Sequence, residues 1–161
     1  MTVLVWITED SWAACVDAVR SLAPAGQDVT LLHVTDTAAL EAAHGAFTGL
    51  LGRSRADPGS QLGTSGDMAR PVLTAAAERL GQPAQQLRLR GRPEHRVVDA
   101  ARGADLLVLA REGAAAGPKS LGKAARFVVD HAACPVLLIW PGPVPDRPLP
   151  PPPPPHRRPH P

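Results

Sequence analysis

Along the first 140 residues, short runs in which every position is apolar alternate with longer stretches in which apolar residues return every three or four positions. Residues 3–7 (VLVWI) are continuously apolar and β-branched, the pattern of a strand covered on both faces. Trp12, Cys15, Val16, Val19 and Leu22 then recur at helical spacing, and Pro24 with Gly26 stops that helix. Residues 29–34 (VTLLHV) predict a second buried strand. Leu40, Ala43, Phe47, Leu50 and Leu51 predict a helix ended by Gly52, and residues 53–66, rich in Gly, Ser, Asp and Pro, a surface loop.

The alternation then resumes. Residues 68–80 predict a helix with Asp67 as its N-cap, Pro71 in its first turn and Gly81 as its stop. Residues 85–90 (QQLRLR) alternate polar with apolar, which suits an exposed edge strand. Pro93 opens a helix through Val97, Val98 and Ala101 that Gly103 closes. Residues 105–110 (DLLVLA) predict a buried strand, 121–132 a helix, and 136–140 (VLLIW) a last strand that is apolar throughout. Strands alternating with helices, joined by right-handed crossovers, give an α/β fold: a parallel, doubly wound sheet with helices on both faces.

Composition changes this picture at one end of the chain. The last 21 residues hold 12 prolines, including the run 150–155, and cannot bury enough apolar surface to fold. The reading is therefore one domain over residues 1–141 and a disordered Pro-rich tail over 142–161. The six-proline run alone would form a polyproline II rod about 19 Å long. The protein that such a tail would engage is unknown from the sequence.

Charge follows the same division. The net +2 comes entirely from the tail, where Arg147, Arg157 and Arg158 face Asp146 alone; residues 1–140 are balanced. Neutrality of the folded part argues against nucleic-acid binding, and an aromatic content of 3% argues against base-stacking platforms. No apolar run approaches the roughly 18 residues of a membrane helix. The opening residues lack the charged start of a secretory leader. The expectation is a cytoplasmic protein with no membrane partner. Cys15 and Cys134 fit no metal or redox spacing and are expected as two buried hydrophobes.

Chemistry in such a sheet sits beyond the carboxyl ends of the strands. Three segments meet there: residues 8–11, residues 34–36, and the loop 111–123 (REGAAAGPKSLGK). In the third, Gly113, Gly117 and Gly122 expose backbone N–H groups, and Arg111, Lys119 and Lys123 add positive charge, which suits a phosphate. Residues 117–123 match the front of a P-loop, but Ala124 stands where a Mg²⁺-binding hydroxyl is needed, and Pro118 removes a donor. His33 is expected buried and hydrogen-bonded, His44 and His95 on polar helical surface, and His131 near a helix end. Ser120 is expected to cap the last helix. No set of acid, base and nucleophile emerges, and no metal is assigned.

The stretches VLVWI, VTLLHV, GADLLVLA (103–110) and GPKSLGKAARFVVDHAACPVLLIW (117–140) together resemble the universal stress protein family, over about residues 2–141. The resemblance implies a five-stranded parallel sheet in the order 3-2-1-4-5, of the adenine-nucleotide alpha-hydrolase-like kind. It also implies a homodimer through the last strand, from Val136 to Trp140, and, in some members, a bound adenine nucleotide, ATP or AMP. The positions that carry over are Thr8, Val34, Ala110, Gly113, Gly122 and Lys123. The chain departs from the nucleotide-binding pattern G-x2-G-x9-G-[S/T]. Ala110 replaces the first glycine, eight residues separate Gly113 from Gly122, and Lys123 replaces the hydroxyl residue. Thr8 stands where an aspartate is usual, with Glu9 and Asp10 following. Two functions follow. One is a regulatory, stress-response module that binds a nucleotide. The other is an interaction module of the same fold, without nucleotide, acting through its last strand or its tail. An enzyme is not expected.

Overall fold

The computed structural model describes residues 1–23, 26–38, 69–112, 117 and 120–144. The helix expected over 40–51, the loop over 53–66, Asp67, and the tail beyond 144 lie outside the described residues. Among the described residues, nine elements follow in order: β1 (Thr2–Trp6), α1 (Trp12–Leu22), β2 (Asp28–Asp36), α2 (Ala69–Leu80), β3 (Ala84–Gly91), α3 (Pro93–Ala101), β4 (Leu106–Ala110), α4 (Lys123–His131) and β5 (Val136–Ile139). The five strands form one sheet in the order β3-β2-β1-β4-β5. Every pairing is parallel: Val3 lies opposite Val29 and Leu106, Val29 opposite Ala84, and Leu107 opposite Val136.

Period-two alternation in the buried strands sends side chains to two separate cores. Val3, Val5, Ile7, Val29, Leu31 and Val108 point to one face, where Cys15, Val16 and Val19 of α1 and Leu73, Ala76 and Leu80 of α2 cover them. Leu4, Trp6, Leu32, Val34, Leu107 and Leu109 point to the other, under Val97 and Ala101 of α3 and Ala125 and Val128 of α4. A strand buried on both sides has no polar position to spare, which is why β1 reads as an unbroken apolar run. The edge strand β3 keeps its polar residues exposed, and all four residues of β5 are half-buried.

Element ends move by a residue or two from the sequence expectation. Ile7 leaves β1 but stays 1% exposed and donates its N–H to Leu32 O at 2.8 Å. Leu22 closes the α1 stripe on paper, yet it is 65% exposed. Cys134, expected buried, is half-buried against the α3/α4 core. The last helix starts at Lys123 rather than Leu121, because Gly122 is extended at φ −65°, ψ 169°. Ser120 is therefore not its cap. Among the described residues, no helix is long and apolar enough to cross a membrane.

Candidate functional site

Running outward from β1, the chain passes to β2 and β3 on one side and to β4 and β5 on the other. The strand order thus reverses between β1 and β4. There the loops after the two strands depart to opposite faces and leave a crevice. A cavity of about 360 Å³ occupies that crevice. Its walls are mostly apolar, from Trp6, Leu109, Ala110, Pro93, Ala124, Ala125 and Pro141. The polar groups that reach it are Thr8, Ser11, Asp10, Arg111 and Glu112. Its size lies at the lower end of small-molecule sites, which run from about 300 to 1,000 Å³.

The segment after β1 is a tight turn into α1. Ser11 and Trp12 both donate their N–H to Thr8 O, at 3.3 and 3.1 Å. The Thr8 and Ser11 hydroxyls share a hydrogen bond of 2.6 Å. This turn separates two adjacent acids. Asp10 faces the cavity, whereas Glu9 turns to the α1/α2 side and meets His33 Nε2 at 3.1 Å. His33 alternates with Leu32 and Val34 of the α3/α4 core, so it points the other way. The ring is 6% exposed, and its Nδ1 has no hydrogen-bond partner among the described residues. Burial raises the Glu9 pKa, but the hydrogen bonds from its own backbone and from His33, with the charge on that ring, outweigh it and hold the carboxyl below its ordinary 4.5.

The segment after β4 folds back on itself. Arg111 donates its N–H to Ile139 O at 2.8 Å, and Glu112 donates to Ser120 O at 2.9 Å. Ser120, fully buried, gives its hydroxyl to Gly117 O at 2.7 Å and accepts from Arg111 Nη1 at 2.6 Å. Gly117 sits at φ 121°, a conformation that side chains other than glycine rarely take. The Arg111 guanidinium also lies 4.8 Å from the centre of the Trp140 ring. Ser120 therefore organises the loop from inside instead of capping the helix. At Gly122 the dihedrals are open to any residue, yet a Cβ there would collide with the Glu112 carboxylate. A larger residue at that position would have to move the Glu112 carboxylate, the far end of an exposed side chain.

Of the six positions expected to hold a ligand, Thr8 and Ala110 line the cavity. Gly122 touches its edge through Glu112. Val34 is 8% exposed within the α3/α4 core, and Lys123 is exposed at the start of α4, away from the lining. Gly113 lies outside the described residues. The sequence reading missed Trp6, Pro93, Leu109, Ala124, Ala125 and Pro141 as lining residues, and it named Glu112 only as part of the loop 111–123. Pro141, two residues past the end of β5, could have been placed at the rim by counting. No group of His, Cys, Asp and Glu among the described residues has the makings of a metal site.

The family model described as the universal stress protein family matches residues 1–139. The structure is similar to that of the hypothetical protein MJ0577, with a TM-score of 0.62 and 19% identity, over 86% of this chain and 94% of that one. It is similar to a universal stress protein in complex with cAMP (TM-score 0.60, 17% identity, 88% of this chain and 98% of the other). It also resembles the universal stress protein from Archaeoglobus fulgidus in complex with dAMP (TM-score 0.57, 19% identity, 86% and 97%). These likenesses rest on the shared fold, an adenine-nucleotide alpha-hydrolase-like parallel sheet. No curated protein matches the sequence.

Proposed function

Since the chain belongs to the universal stress protein family, we propose that it is a cytoplasmic regulatory module of the stress response that takes an adenine nucleotide, ATP or AMP, at the carboxyl rim of its sheet. The observation that carries this reading is the cavity at the reversal between β1 and β4. Its apolar walls suit the flat faces of a purine. The paired hydroxyls of Thr8 and Ser11 supply directional contacts at one end. The first turn of α4, behind Gly122, supplies backbone N–H groups for an anionic group at the other. The proposed contacts on the cavity wall are Thr8 and Ala110, with Gly122 at its edge. Similar folds bind cAMP and dAMP, which is consistent with the reading. No catalytic role is assigned to these residues, and binding alone is the proposed activity.

The test is direct. Mass spectrometry of denatured, freshly purified protein is expected to release an adenine nucleotide, and calorimetry to give saturable binding of ATP or AMP. Gly122→Val places a branched side chain against Glu112 and is expected to weaken binding by about tenfold, ~1.4 kcal/mol. An absence of heat at millimolar nucleotide would remove the reading.

A second reading has its own observation. β5 is an edge strand whose four residues are apolar and half-buried, with nothing polar to discourage pairing. A homodimer joined along Val136 to Trp140 would cover it. The wild-type chain is then expected to sediment as a dimer, and Leu138→Lys as a monomer. Sedimentation of the unmodified chain as a monomer throughout the micromolar range would exclude this interface. In the version of this reading without nucleotide, the dimer surface or the Pro-rich tail recruits the partner.

A further inference from the structure

Among the described residues, three charged ones line the cavity, and two of them are acids. Asp10 and Glu112 line it together with Arg111, whose guanidinium is tied to Ser120 at 2.6 Å and lies over Trp140. The described lining therefore holds one more acidic than basic side chain, with its arginine restrained by Ser120 and Trp140. Glu112 holds the more telling place. Its carboxylate fills the volume next to the Gly122 Cα, beside the first turn of α4. That is where an anionic ligand would approach the helix's positive end. The main chain that carries the acid is held in place: Glu112 is two residues past the end of β4, and its N–H donates to Ser120 O at 2.9 Å. Burial is not the reason for this placement, because Glu112 is otherwise open to solvent.

We infer that Glu112 is a resident anion that sets the ligand charge this site accepts. A group with little charge, such as a nucleoside or a monophosphate, shares the cavity with it. A polyphosphate must displace the carboxylate from the α4 terminus or bind against it. The site therefore selects adenosine and AMP over ATP. This rests on the nucleotide reading above and sharpens it to a ligand class.

Removing the charge while keeping the shape isolates the effect. A carboxylate and a phosphate about 4 Å apart in a solvent-open site repel by roughly the energy of a fivefold change in affinity. Calorimetry of wild type and Glu112→Gln with adenosine, AMP and ATP is therefore expected to show the ratio of ATP to adenosine affinity rising about fivefold in the variant, with AMP between. Glu112→Ala, which also empties the space over Gly122, should raise that ratio at least as far. Matching melting curves for the three proteins would establish that each is folded. An unchanged ratio in both variants, with adenosine still bound, overturns the role of Glu112 and leaves the nucleotide reading standing. No heat from any of the three ligands in any protein overturns that reading and this inference with it.

Discussion

The two faces of the sheet are built from the same strands but closed to different degrees. Under α1 and α2, the core runs from Val3 to Leu80 and is filled by small aliphatic groups, with Leu31, Leu73 and Cys15 fully buried. Under α3 and α4, an equally apolar core ends at the rim in a cavity whose floor is Trp6 and Leu109. The turn after β1 divides the two acids in the same way, sending Glu9 to the closed face and Asp10 to the open one. The difference teaches that one period-two strand supports a stabilising face and a binding face without compromise between them. A substitution on one side leaves the other side's residues untouched.

That separation is open to attack, most forcefully through the cores themselves. Leu31→Ala empties space in the closed face and is expected to cost about 3–4 kcal/mol in chemical denaturation. Leu109→Ala enlarges a cavity that already opens to solvent, so its cost should lie nearer 2 kcal/mol. Equal costs would mean that the two faces are packed alike.

The cysteines offer a smaller contrast. Burial pushes the Cys15 thiol on the closed face up to about 12. Burial also raises that of Cys134 on the open face, with Asp105 adding to the rise and the Leu107 backbone opposing it. In a native thiol titration at pH 8, Cys134 is expected to react roughly a hundredfold faster than Cys15, which should label only on unfolding. Comparable rates would break the claim that α1 seals its face.

The smallest effect concerns Glu9. Its pKa is depressed in the folded chain, so the stability it contributes is present above its ordinary 4.5 and is lost as pH falls through the lower folded value. Because the side chain is half exposed, the effect on the melting temperature should be only about a degree or two. Glu9→Gln is expected to flatten the decline below pH 4.5. A variant with an unaltered acid limb would show that the His33 contact carries no weight.

Much of the fold was legible because it depends on periodicity. A strand buried on both faces must be apolar throughout, and an edge strand such as β3 is free to alternate, so β1, β4 and β3 could be told apart by inspection. The strand order came from the family resemblance. The site was legible only in outline. The rim segments could be named, because they follow the strands, and Thr8 and Ala110 are on the cavity wall. What escaped was whatever depends on how a loop turns. Ser120 looks like a cap from its place before a helix, yet its buried hydroxyl is spent on Gly117 and Arg111. Glu112 carries no motif, and its meaning comes wholly from Gly122, ten positions away. Glu9 and Asp10 are chemically near-equivalent in sequence, and only the turn that starts at Thr8 assigns them to opposite sides.

The tryptophans give the molecule an optical property that follows from their placement. The chain has three and no tyrosine. Trp6 forms part of the cavity floor, Trp140 lies beneath the Arg111 guanidinium at its margin, and Trp12 packs at the start of α1 against the opposite core. Two of the three ultraviolet emitters of this protein therefore sit around the crevice. An occupant that touches the Trp6 indole or shifts Arg111 off Trp140 would announce itself in the native fluorescence spectrum, with no dye attached.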